Sequence, residues 1–86
     1  MQQPTHIPVY QDKFTGTIRE VLEHIAMYIS TSFYLAEMTE LYVMIQAEPM
    51  ANHEVTKGRV TASYRAVKRC CRTEYIMEIV DSTTIG

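Results

Sequence analysis

The chain has 86 residues, 47% of them apolar, enough for one folded domain and too apolar for wholesale disorder. Its net charge of −2 conceals two unlike halves: residues 1–56 carry a net −5 and residues 57–86 a net +3. The two cysteines, Cys70 and Cys71, are neighbours, which excludes a disulfide framework and fits a reducing compartment.

Residues 1–13 contain Pro4 and Pro8, which favour extended backbone, so an N-terminal arm is expected there. Thr17 followed by Glu20 has the spacing of a capping box. After it Ile18, Val21, Leu22, Ile25, Ile29, Phe33 and Ala36 recur at three and four residues, on one side of a helix. Ser30, Thr31 and Ser32 mark a place for a bend. A second stripe, Met27, Tyr34, Met38, Leu41 and Ile45, falls roughly opposite the first. The pattern predicts a long helix over 17–47, continuous or gently broken. The competing reading makes LYVMI at 41–45 a strand, because Tyr, Val and Ile suit strands.

Pro49 ends that element, and the polar segment 48–58 reads as a linker. A second helix is predicted over 59–81. In its first part Val60, Ser63, Ala66, Val67, Cys70, Cys71 and Glu74 project to one side, and Arg65, Lys68, Arg69 and Arg72 to the other. The final DSTTIG reads as a frayed end. The predicted fold is therefore all-α: a small helical hairpin or three-helix bundle, one domain over 1–86, completed by oligomerisation. Two helices leave much apolar surface uncovered, and symmetric assembly is a common way to cover it. Met27, Tyr34, Met38, Leu41 and Ile45 are the expected interface, with Tyr34 and Leu41 near its centre.

Chemical motifs are sparse. His6, His24 and His53 are scattered; Glu20 and His24 have i, i+4 spacing, but two ligands do not make a tetrahedral site, so no metal or cofactor is expected. On the predicted helix Cys70 and Cys71 would be small, half-buried apolar residues, inert without a base beside them. No catalytic set emerges, and an enzyme is not expected. The basic residues Lys57, Arg59, Arg65, Lys68, Arg69 and Arg72, with Tyr64 to stack on a base, form a candidate anion-binding face. The net negative charge and the lack of interleaved Asn, Gln and Ser weigh against base recognition.

The sequence thus predicts a non-catalytic protein–protein interaction module that associates with itself and acts as an adaptor or inhibitor of a partner protein. The alternative is a nucleic-acid or nucleotide-binding regulator built on the basic helix. No run approaches the roughly 18 apolar residues of a membrane span. The opening residues lack the basic start and apolar core of a signal peptide. A cytoplasmic location without membrane contact is expected.

Overall fold

The structure, a computed structural model, describes residues 5–85, and side-chain environments from Ile7 to Thr83. It is a two-layer α/β fold with more residues in strands than in helices. Strand β1 (Thr5–Gly16) leads into helix α1 (Ile18–Thr31) and helix α2 (Leu35–Ala47). Strands β2 (His53–Lys57), β3 (Val60–Lys68) and β4 (Thr73–Ile85) follow as an antiparallel meander. β1 then pairs antiparallel with β4, giving the sheet order β1-β4-β3-β2. Both helices lie on one face, α1 over β1 and β4, α2 over β2 and β3.

This corrects the all-α expectation. Residues 59–81, expected as a second helix, supply β3 and most of β4; the linker contains β2; the arm is an edge strand, apart from its first four residues, which lie outside the described ones. The physical reason is visible along β3. Val60, Ala62 and Tyr64 alternate onto the helix-covered face and are 7%, 0% and 1% exposed, the period-two pattern of a half-buried strand. β-Branched and aromatic side chains crowd this stretch and favour the pleated surface. Gly58, at φ 61, begins the two-residue turn Gly58–Arg59, with Lys57 paired to Val60. Glycine takes that left-handed backbone without steric cost, so the segment reads as a tight hairpin, not a helix start. The DSTTIG segment likewise belongs to β4 through Ile85, with Gly86 outside the described residues.

The helical half follows its local signals closely. Thr17 Oγ1 accepts from the Glu20 amide at 3.2 Å, and Glu20 Oε1 accepts from the Thr17 amide at 3.1 Å, completing the capping box. These same bonds draw the Glu20 carboxyl below its usual value. The expected long helix is two helices. α1 ends where Ser32 turns left-handed at φ 61, its amide donating to Ile29 O and the Phe33 amide to Tyr28 O. That pair of bonds is a Schellman closure, with serine in the place glycine usually takes. Tyr34 is left-handed too, at φ 55, and α2 starts after it. Residues 41–45 are helical.

The core lies between the layers. Val21 and Ile25 of α1, Met38, Leu41 and Ile45 of α2, and Ala62, Met77 and Ile79 of the sheet are all 0% exposed. The other sheet face is largely polar, with Ile76 and Val80 set among polar neighbours. Cross-strand register aligns Lys13, Glu78, Ser63 and Glu54 in one row, and Gln11, Val80, Thr61 and Thr56 in another.

Candidate interaction surface

Beyond Tyr10 and Asp81, apart from the Ser82 amide donating to the Arg59 carbonyl at 3.0 Å, β1 and β4 pair with each other alone, so their ends form a two-stranded ribbon past the end of β3. A register shift between Pro8 and Tyr10 leaves Val9 as a bulge. Pro8, this bulge and Lys13 all discourage another strand from pairing with the β1 edge. The ribbon's apolar side chains are therefore the more informative feature. Ile7 pairs with Thr83, two residues beyond Asp81, and so shares the face that carries the helices. Ile7 is 41% exposed and Val9 59%.

Beside the ribbon stands the turn between the helices, rich in aromatics. The Tyr10 and Phe33 rings meet edge to face at 5.7 Å, and Phe33 packs on Tyr34 at 4.1 Å. Phe33 remains 48% exposed, and Met27, on the α1 surface bordering Tyr10 and Tyr28, 62%. Tyr10 and Met27 border an open groove of about 390 Å³ between β1 and α1, Phe33 meets Tyr10 beside it, and Ile7 and Val9 continue the exposed apolar set along β1 toward the ribbon end. Such clustering is uncommon on a chain that keeps to itself.

A polar relay underlies this surface. Tyr28 donates its hydroxyl proton to Asp12 Oδ2, and His24 Nε2 donates to the same oxygen at 2.7 Å. Since Tyr28 has only one proton to give, its 2.8 Å bond with Tyr10 must run from the Tyr10 hydroxyl. Phe14 stacks on the His24 ring at 4.4 Å. Burial works to raise the Asp12 pKa, but the bonds from Tyr28 and His24 outweigh it and bring it below 3.8. Burial, and donation to a carboxylate, push the Tyr28 phenol up. His24 is committed to Asp12 and does not pair with Glu20. Among the described residues no three His, Cys, Asp or Glu side chains gather in a metal-holding group.

A second buried acid ties the aromatic turn down. Asp81 is 4% exposed on the helix-covered face of β4. Tyr34 donates to its Oδ2 at 2.7 Å, and Arg59 Nε lies 2.9 Å from Oδ1. That guanidinium supplies charge but no aligned N–H, so Oδ1 has no hydrogen bond.

The expected interface stripe is divided by the fold. Met38, Leu41 and Ile45 are buried inside the single chain, Tyr34 is half-buried, and only Met27 is well exposed. The stripe's second neighbour is the sheet, whose two central strands, β3 and β4, were expected to be helix. Sequence reasoning did not assign Ile7, Val9, Tyr10 or Phe33 to an interface, and Phe33 reaches Tyr10 only because α1 packs back along β1.

The candidate anion face is divided as well. Lys57 and Arg59 sit at the β2–β3 turn, where Lys57 pairs with Glu40 at 2.9 Å and Arg59 with Asp81. Lys68, Arg69 and Arg72 sit at the β3–β4 turn, roughly 30 Å away along β3 at strand rise. Arg65 is on the open face between them, with carboxylates of Glu54 and Glu78 nearby. Tyr64 is buried, its hydroxyl donating to the Pro49 carbonyl, and offers no exposed ring to a base. Among the described side chains the open sheet face carries no Phe or Tyr on β1, β3 or β4 either, so this region lacks the stacking platform of single-strand readers.

These features define a small two-layer α/β domain with an exposed apolar end and a separate basic tip. Among the described residues no helix is long and apolar enough to cross a membrane. No family model, curated protein or solved structure matches the chain.

Proposed function

We propose that this chain is a non-catalytic interaction module that associates with a second copy of itself through the apolar end, and in that form acts as an adaptor or inhibitor of a partner protein. The carrying observation is the exposed group Ile7, Val9, Tyr10, Met27 and Phe33 at one end of the molecule. The proposed mechanism is steric and electrostatic, with no covalent step.

Charge argues for a second copy as occupant. In an isologous contact each residue near the two-fold axis meets its own copy, so like charges there repel. The ribbon and turn present apolar and aromatic side chains, and the acids beneath them are engaged by Tyr28, His24, Tyr34 and Arg59. A standard contact takes about 800 Å² from each partner. Against this chain's total of 5830 Å², that area calls for ribbon and aromatic turn together.

Sedimentation at tens of micromolar is the test. The natural chain is expected as a dimer, and Phe33→Asp as a monomer with an unchanged circular dichroism spectrum, since Phe33 is half exposed. A monomeric natural chain overturns the proposal. The phosphate-binding alternative has less support, because its bases are split between two distant turns. Salt-sensitive binding of oligonucleotides, lost in Arg65→Ser/Arg69→Ser, would restore it.

A further inference from the structure

The end of the molecule opposite the ribbon carries a different chemistry. The β3–β4 hairpin turns through Arg69–Cys70–Cys71–Arg72, closed by the Arg69 amide donating to the Arg72 carbonyl at 2.7 Å. Both cysteines are exposed. Arg69 Nε lies 3.2 Å from one oxygen of Glu74, and an Arg72 terminal nitrogen 2.9 Å from the other. One carboxylate thus serves two guanidiniums, with Lys68 adjacent, and the tip keeps an excess of positive charge. The two arginine side chains remain 57% and 77% exposed. Exposed thiols in an electropositive setting are where cysteine reactivity is found, and the half-buried, inert pair expected on a helix does not exist.

We propose that Cys70 and Cys71 form a thiol-exchange site selective for small anionic disulfides, glutathione disulfide being the representative. A thiolate of the pair attacks one sulfur of the incoming disulfide. The small-molecule S–S bond breaks, a bond between cysteine and half of the disulfide forms, and the other half leaves as a thiolate that takes up a proton. The incoming disulfide is the oxidant: the cysteine is oxidised and the departing half reduced. Arg69 and Arg72 provide planar, forked donors suited to the carboxylates of such a molecule.

The neighbouring thiol does not readily expel the adduct. Adjacent Cα atoms stand about 3.8 Å apart across a trans peptide, whereas unstrained disulfides span roughly 4.4–6.8 Å. A bridge between Cys70 and Cys71 is strained, so the mixed disulfide accumulates. It places new carboxylates on the basic tip and weakens the tip's attraction for anionic surfaces. This site is independent of the apolar end, and its test does not depend on oligomeric state.

The experiment follows the reduced natural chain by mass spectrometry with three probes at equal concentration: anionic glutathione disulfide, neutral hydroxyethyl disulfide and cationic cystamine. Adducts are expected on Cys70 and Cys71, with the anionic probe faster than the cationic one by on the order of tenfold at low salt. High salt should erase that spread. Arg69→Gln/Arg72→Gln should reduce it as well. Because that variant also disturbs Glu74, the salt series on the natural chain provides an independent reading. Cystamine reacting as fast as glutathione disulfide at low salt would overturn the proposal. So would closure to an internal bridge, or to a linked dimer, without a mixed disulfide accumulating.

Discussion

The Tyr34 hydroxyl donates to Asp81 Oδ2 at 2.7 Å, binding the turn between the helices to β4, one of the two central strands of the sheet. Tyr34 makes this bond from a left-handed backbone, φ 55 and ψ 37, which an L-residue adopts at a cost. The bond supplies a hydrogen-bond donor to a carboxylate taken out of water, and leaving that carboxylate short of donors would be costly. One contact thereby positions Phe33 and Tyr34 beside the ribbon.

Alkaline pH should unfold the protein cooperatively. Burial, then donation to Asp81, pushes the Tyr34 phenol up to about 12. Burial, then the nearby Tyr75, pushes Tyr64 up to about 12. A group whose pKa is raised in the folded state contributes stability that is whole below its unfolded value, 10, and is lost as pH climbs toward 12. Phenolate absorbance from these residues should appear together with loss of circular dichroism. Independent, gradual ionisation of every tyrosine with the fold intact would contradict it.

Acid should act through Asp12. Its pKa is lowered below 3.8, so its contribution is present above that value and lost as pH falls through the folded one. Tyr28→Phe removes a donor to this carboxylate. A hydrogen bond to a charged group contributes about 1.5–3 kcal/mol. Because the Asp12 side chain is 26% exposed, about 1–2 kcal/mol is expected here. Urea unfolding at neutral pH should show that loss, and acid unfolding should begin at higher pH. An unchanged acid midpoint would remove Asp12 from the account.

Ser32→Gly should stabilise the protein. The left-handed backbone costs an L-residue roughly 1–2 kcal/mol, and the greater freedom of glycine in the unfolded chain offsets about 0.4–1 kcal/mol. Ser32 is exposed, and it closes the turn through its backbone amide. The expected net gain is about 0.5–1 kcal/mol in chemical denaturation. A loss of stability would mean that the serine hydroxyl contributes to the turn.

Leu41→Asp should prevent folding rather than separate subunits, because Leu41 is wholly buried within one chain and a carboxylate there would be stranded without partners. Ile25→Ala is the milder probe of the same core and should cost about 2–5 kcal/mol. A folded, monomeric Leu41→Asp variant would return that side chain to an intermolecular contact.

The helical half was legible because its signals are local. Thr17 and Glu20 cap a helix whichever partner it meets, and Met38, Leu41 and Ile45 keep helical spacing through a stretch with strand preferences. The break at 32–34 was visible only as a run of hydroxyl residues, since its left-handed backbone has no glycine to announce it. The hairpin half was misread because two periods overlap there. Val60, Ala62 and Tyr64 alternate, yet Val60, Ser63, Val67 and Cys70 also step like a helix. Lys57–Gly58–Arg59 between runs of Val and Thr was the available signal for a turn. Of the candidate site residues, Met27 keeps a place at the exposed end, while Tyr64, Met38, Leu41 and Ile45 are taken into the core.

The sequence by itself determined the first helix and its cap, the stop at Pro49, the separation of acidic from basic residues, and the adjacency of the two cysteines. Each depends on residues a few positions apart, where chain geometry leaves few choices. Only the tertiary structure decided that residues 53–85 fold as a β2–β3–β4 meander, which divides most of the basic residues between two turns and exposes the cysteines at one of them, and that β4 also pairs with β1. It also gathers Ile7, Tyr10 and Phe33 at the opposite end. Those outcomes rest on the register of strands some 70 residues apart, and which face of a strand is buried depends on the layer packed against it.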